Sequence, residues 1–365
     1  MNDHEIDLLS RRRFLRRNAL GIGLVGLSQM LTGKSFAGIH SPGKAKAVIQ
    51  IFLNGGMSQV DTFDPKPELT KYNGKDCPEK YLEKERFAFI KGTPQMLATP
   101  YSFKQHGESG QWISELLPHT AKISDKITVV RSLHTTQFNH APAQLFLATG
   151  HQSIGRPSMG SWVTYGIGTE SRDLPGFMVL QSGPRGPRGG GVNWASGFLP
   201  TSFQGVPLRG NGDPILNLTS PKGIDGVRQR ECIDAVRALN LKRAMETGDP
   251  EIQTRIASYE MAYRMQTSAP ELIDIASESK TTLDLYGAQP GKASFANNCL
   301  LARRLVERGV RFVQLYHTNW DSHGGPAQTL TKDFDKVTKD VDQPCAALIR
   351  DLKARGLLND TLVIW

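Results

Sequence analysis

The sequence predicts an α/β fold, a doubly wound and mostly parallel sheet with helices on both faces. Three observations predict it. Short β-branched apolar runs end at glycine or polar residues, segments of helical period lie between them, and a glycine that stops a helix leads at once into a strand. Residues 46–53 open the pattern, a nearly unbroken apolar run closed by Asn54-Gly55-Gly56, as expected of a strand buried on both faces. Residues 127–133, Ile-Thr-Val-Val-Arg-Ser-Leu, predict a second strand, and residues 176–180 a third. Ile252, Ile256, Tyr259 and Tyr263 share one helix face, and Pro270 is expected to close that helix. Phe295, Cys299, Ala302 and Val306 mark a further helix, stopped by Gly309, with the strand 310–316 directly behind it. A long helix is predicted over about 330–355 with Gly356 as its stop, and a strand begins at Thr361. Residues 65–115 and 182–225, rich in Pro, Gly and polar residues, predict long insertions around the rim of the sheet. The loosest part is the Gly-rich 183–191, expected as a mobile loop rather than a phosphate cradle.

Composition narrows the function. The chain has 365 residues, enough for one large core, and its 36 Gly and 21 Pro are loop-rich without a collagen-like period. No apolar run reaches the roughly 18 residues of a membrane span, so no stable span is expected. Cys77, Cys232, Cys299 and Cys345 form no CxxC, which argues against a zinc ribbon or a thioredoxin motif. The net charge is +9, of which residues 1–37 carry +3. The remainder is scattered, with no basic stripe interleaved with aromatics, so nucleic acid is not an expected partner.

The N-terminus reads as an address. Arg11-Arg12-Arg13-Phe14-Leu15 precedes a short, moderately apolar stretch from Asn18 to Leu27, and Ser35-Phe36-Ala37 supplies small residues for cleavage. The pattern resembles a twin-arginine export signal, which implies the export machinery as a partner and a periplasmic or secreted location. The alternative, a basic anchor helix, fits the glycines of this stretch poorly.

In open parallel sheets, ligands sit beyond the carboxyl ends of the strands. Three such tips carry polar chemistry. They are Asn54-Gly55-Gly56 through Asp61 and Asp64, then His134-Thr135-Thr136-Gln137-Phe138-Asn139-His140, then His317-Thr318-Asn319-Trp320-Asp321-Ser322-His323. Imidazole beside carboxylate suits a zinc-like ion, and a hydroxyl close to such an ion becomes a nucleophile. The spacing of Asp321 and His323 also suits a simple turn before Gly324-Gly325.

Several stretches carry a family resemblance. They are Phe52-Leu53-Asn54-Gly55-Gly56 with Ser58 through Pro67, Arg131-Ser132-Leu133-His134-Thr135 with Asn139-His140, and Gly155-Arg156-Pro157-Ser158-Met159-Gly160. Ala302-Arg303-Arg304 through Val313, Trp320-Asp321-x-His323, and Leu357-Leu358-Asn359-Asp360-Thr361 follow. Together they resemble the exported "domain of unknown function 1501" family, placed with the sulfatases in the alkaline phosphatase superfamily. The resemblance implies an alkaline-phosphatase-like sheet over residues 38–365 behind a signal peptide at 1–37. Family members continue past the position of Trp365 with further acidic and His-rich segments, so the C-terminal part of that fold is expected to be missing.

What the superfamily implies for the site is a Ser or Thr nucleophile beside divalent metal, zinc, calcium or magnesium. Thr136-x-x-Asn139-His140 is similar to the nucleophile loop of nucleotide pyrophosphatases, and Thr135 is the position shared within the closer family, so both threonines stay candidates. Thr135 or Thr136 would attack, Asn139 would hold a non-bridging oxygen, and His140 would complete the catalytic loop. Asn54 and His134 are expected at the substrate, and Asp321, His323 and Asp61 at metal. Asn54 stands where the superfamily places its first metal-binding carboxylate, a departure that puts a full two-metal centre in doubt. The absence of Cys-x-Pro-x-Arg excludes the formylglycine nucleophile of true sulfatases. The implied activity is hydrolysis of a small or polymeric anionic phosphate or sulfate ester. The alternative is a non-catalytic sulfatase-like scaffold that binds a polysaccharide or a partner at the cell surface. An exported redox enzyme ranks behind both, because no dinucleotide or haem motif is present.

Overall fold

The computed structural model describes residues 43–83, 92–183, 186–208, 223–249, 251–322 and 329–365. The leader at 1–37 and the predicted ligand His323 lie outside the described residues.

Residues Ala47–Leu53 form strand β1. Its neighbouring side chains leave on opposite faces, and both faces are apolar. Ile49 and Ile51 enter the larger core, while Val48 and Phe52 enter a smaller cluster with Phe177, Val179, Trp194 and Phe312. This double burial explains why the run does not alternate between apolar and polar. After β2 (Phe103–His106) and β3 (Gln111–Ser114), an antiparallel hairpin, come β4 (Phe177–Ser182), β5 (Val206–Leu208), β6 (Phe312–His317) and β7 (Thr361–Ile364). The main sheet has five strands in the order β5-β4-β6-β1-β7, and every pairing is parallel.

The helices are α1 (Glu68–Tyr72), α2 (Pro118–Ala121), α3 (His140–Thr149), α4 (Met159–Ile167), α5 (Gly226–Thr247), α6 (Glu251–Ile273), α7 (Lys280–Tyr286), α8 (Phe295–Glu307) and α9 (Asp335–Ala354). The larger core takes Phe295, Cys299, Leu300 and Leu305 of α8 and Val337, Val341, Cys345 and Leu348 of α9. Met159 and Val163 of α4 pack against the opposite face of the sheet. Local signals set the ends. The Ser294 hydroxyl accepts from the Asn297 amide at 3.1 Å to start α8. Gly309 (φ +81°) then turns the chain where a Cβ would strike the backbone of Ser171. Inside α8, Arg303 is buried and paired with Glu278, Glu307 and Asp351, which ties α8 to α9 and to the segment before α7.

Two expectations need correction. Residues 127–133 are not a strand. Both edges of β1 are taken, by β6 and β7. Only Ile127 and Val129 reach the core, whereas Val130 and Leu133 are exposed, and the run pairs with neither outer edge of the sheet, at β5 or at β7. Pro270 does not close its helix. It lies inside α6, and the helix continues to Ile273 with the Asp274 amide bonded to the Pro270 carbonyl. The rim insertion at 65–115 holds α1 and the β2–β3 hairpin. In the 22-residue helix α5 none of the residues is buried, so no apolar stripe of helical period marks it in the sequence.

Candidate functional site

Parallel pairing of β1 with β6 puts Leu53 opposite His317, so the two strands end side by side. The chain then laces the tips together. The Asn54 amide donates to the His317 carbonyl at 2.8 Å, and the Trp320 amide donates to the Asn54 carbonyl at 2.9 Å. Gly55 makes this approach feasible. Its φ is +116°, and a Cβ there would lie 2.7 Å from the carbonyl carbon and oxygen of Trp320. Asn319 adopts φ +79°, the one positive-φ residue besides glycine among the described residues. The loops after β1 and β6 therefore form one tightly bonded unit at the carboxyl edge of the sheet.

Asn54 is 5% exposed, and its side-chain oxygen and nitrogen have no hydrogen-bond partner among the described residues. A buried amide left unpaired costs roughly 1–3 kcal/mol, so the position is held against a local penalty. Among the described residues, the Ser322 hydroxyl on the facing loop and the Tyr316 hydroxyl near the end of β6 are buried without a partner too. Burial pushes the Tyr316 hydroxyl well above the ordinary tyrosine range, so it stays protonated. Next to Ser322, Asp321 meets the first residue of α3. His140 Nε2 lies 3.1 Å from Asp321 Oδ2, with both side chains about one-third exposed. The site thus unites Asn54, Asp321 and His140 from three chain segments.

The other predicted residues are distributed differently. Asp61 is buried and accepts the Ser58 hydroxyl at 2.5 Å, leaving its second oxygen without a partner. Asn139 occupies the position before α3 in extended conformation, with no side-chain cap bond. Thr135 and Thr136 are exposed and bond only locally, to the Gln137 amide at 3.1 Å and the Gln137 side chain at 3.4 Å. His134 is exposed on the same segment. Among the described residues, no group of three or more His, Cys, Asp and Glu side chains is close enough to hold a metal ion.

His317 is a residue whose role the sequence did not show. It is buried, and its Nδ1 accepts from Trp320 Nε1 at 2.9 Å. That bond places the ring proton of the neutral form on Nε2, 3.7 Å from Asp340 Oδ2. Phe295 and Trp320 pack edge-on against the same ring. The spacing His317-x-x-Trp320 was the available signal, but it has meaning only once the loop folds back. A separate cleft of about 540 Å³ is lined by Tyr101, Glu115, His119, Asp335 and Asp342. The Asp342 carboxylate there is fully used, accepting from the His119 and Thr120 amides and the Thr120 hydroxyl at 2.7–2.8 Å.

Residues 45–365 match the family model described as protein of unknown function, DUF1501. No curated protein and no solved structure matches the chain. The family match covers nearly all of the unit in which the sheet, the laced tips and the His140–Asp321 pair are found, and the chain belongs to the DUF1501 family.

Proposed function

We propose that the protein is an exported, metal-dependent hydrolase of phosphate or sulfate esters, built on an alkaline-phosphatase-like, doubly wound sheet. The observation that carries this reading is the contact of His140 Nε2 with Asp321 Oδ2 at 3.1 Å, beside the buried, unpaired amide of Asn54. Zinc holds nitrogen and oxygen ligands at about 2.0–2.2 Å, and two such ligands at a tetrahedral angle stand roughly 3.3 Å apart. The imidazole and carboxylate have the separation of two donors to one ion, and the side-chain oxygen of Asn54, on the loop bonded to Trp320, is the candidate for a neutral third donor. His323, two residues after Asp321, and the free oxygen of Asp61 are the remaining candidates. A bound divalent ion would supply charge stabilisation and lower the pKa of a nearby hydroxyl.

The chain's own residues divide the remaining work. Thr135 or Thr136 attacks phosphorus or sulfur through Oγ and gives up its hydroxyl proton, while the bond to the ester oxygen breaks and that oxygen takes up a proton. Water then cleaves the new bond to Oγ, frees phosphate or sulfate and restores the threonine hydroxyl. Asn139 and the amide groups that open α3 hold a non-bridging oxygen. His134 meets the substrate at the rim. The twin-arginine pattern of the leader supports export of the unit at 38–365 to the periplasm or beyond.

The test is turnover of an aryl phosphate and an aryl sulfate with added zinc, calcium or magnesium. Activity should depend on metal and disappear when Thr135 and Thr136 are both changed to Val. Asp321→Asn should lower it on the order of 100-fold. Full activity in the double-threonine variant would overturn the assignment. One observation favours a second reading, a non-catalytic scaffold for an anionic polysaccharide: the residue at the tip of β1 is a neutral amide where the superfamily carries a carboxylate. Binding of a sulfated polysaccharide that is indifferent to chelator, without turnover of either ester, would select that reading.

A further inference from the structure

Helix α5 is a surface feature that the proposed reaction does not use. It lies against α6, which itself contributes Ile252, Ile256, Met265 and Leu272 to the interior. Arg230 fastens the two helices by reaching Glu260 with both terminal nitrogens, at 2.8 and 2.9 Å, and it also pairs with Asp234. Gln229 bonds to Gln266. The half-buried positions of α5 are 229, 230, 233, 240 and 244, which by helical period form its inner stripe.

The opposite stripe is Arg228, Glu231, Ala235, Ala238, Lys242 and Glu246, every one exposed. Leu239 and Met245 lie beside it, 70% and 82% exposed, so large apolar side chains face water along a helix that already has a neighbour on its other side. Among the described residues, Arg228, Glu231, Lys242 and Glu246 form no ion pair within the chain, whereas Arg230 and Asp234 on the inner side do.

The order of charges along this stripe is plus, minus, small, small, plus, minus. Reversed, it is minus, plus, small, small, minus, plus, which is its own complement. We infer that the outer face of α5 is the interface of a two-fold symmetric dimer, in which α5 packs antiparallel on α5 of a second copy. The axis passes between positions 236 and 237. Ala235 then stands opposite Ala238 of the second copy and lets the backbones approach. Glu231 stands opposite Lys242, and Arg228 falls one residue from the position opposite Glu246, within side-chain reach, each twice by symmetry. A parallel pairing sets like charge against like at every one of these positions, and an unrelated partner has no reason to match this self-complementary order. The four ion pairs set register and direction, while Leu239 and Met245 supply apolar area at the margins. The inference is independent of the proposed chemistry, because α5 contributes nothing to the strand tips.

The experiment is sedimentation velocity on the full chain over a concentration series, with circular dichroism on each variant to confirm that α5 keeps its helicity. The protein should show a reversible monomer–dimer equilibrium that weakens at high salt. Glu231→Lys sets like charges opposite each other twice and should raise the dimer dissociation constant on the order of tenfold or more. Adding Lys242→Glu in the same chain restores the opposite pairing in swapped form and should recover the dimer. A protein that stays monomeric throughout, a dimer unmoved by Glu231→Lys, or a double variant that remains as weak as the single one would each overturn the inference.

Discussion

At the residue scale, the site depends on positions where one atom more or less changes the fold. Gly55 is the sharpest case. Its φ of +116° disfavours any L side chain, and the space a Cβ would need belongs to the Trp320 backbone. Gly55→Ala should therefore destabilise the protein by about 2–3 kcal/mol and disturb the contact between the two tip loops. Urea unfolding measures this, and a change under about half a kcal/mol would mean that the loops are not laced as described. Asn54 poses the opposite problem, a buried amide with unsatisfied atoms. Asn54→Leu should be nearly neutral for stability, since it removes groups that have no partner among the described residues. It should weaken binding of any ion or anionic ester at the tip. Thermal melts with and without added metal separate the two effects.

At the scale of elements, hydrogen bonds from Arg230 outweigh the desolvation of Glu260 and hold its carboxyl below the ordinary glutamate range. A carboxylate lowered on folding adds stability that is present above its unfolded pKa and is lost as pH falls through the folded value. The grip of α6 on α5 should accordingly loosen in acid, below the usual glutamate range, and remain constant near neutrality. Amide exchange along α5 read against pH tests this, and Glu260→Gln should remove the acid-dependent part. The α8–α9 contact follows a different logic, because Arg303 is buried among three acidic groups. Arg303→Met would remove the most buried cation of the cluster and leave the three carboxylates to Arg355, with Arg304 also on Glu278, and should cost about 2–3 kcal/mol. A midpoint shift of under 1 kcal/mol in denaturant would show that the network carries no net stabilisation.

At the scale of the whole molecule, the sheet decides what is accessible. Cys299 and Cys345 sit on facing helices inside the core, and burial pushes the Cys299 thiol well above its usual range. Cys232 is exposed on α5, and Cys77 is half-buried on the rim. In the native protein a thiol reagent should modify Cys232 first and Cys77 more slowly, while the two core thiols react only on unfolding. Mass spectrometry of a labelling time course reads this order. Early modification of Cys299 would show that α8 and α9 separate under native conditions. Geometry at the carboxyl edge likewise belongs to the whole sheet, since Asn54, His140 and Asp321 are far apart in sequence and meet only when β1 and β6 end together.

The strands that became β1, β4, β6 and β7 were legible because both of their faces are apolar, and α8 and α9 because an apolar stripe recurs at helical period and ends at Gly309 and Gly356. Local composition was enough there, since burial selects side chains one residue at a time. The strand expected at 127–133 failed for the complementary reason: β-branched residues state a preference, and a run that joins no edge of the sheet does not become a strand. Helix α5 was missed because a helix that buries nothing carries no periodic signal. Within the site, Asp321 and His140 were both candidates from their loops, but their contact was not visible, nor was the use of His317 as an acceptor for the Trp320 indole. The sequence by itself determined which residue types stand at the strand tips. Which of them touch was decided by the tertiary structure, because contact between residues so distant in the chain depends on strand order and register, and these are set by the packing of the whole sheet.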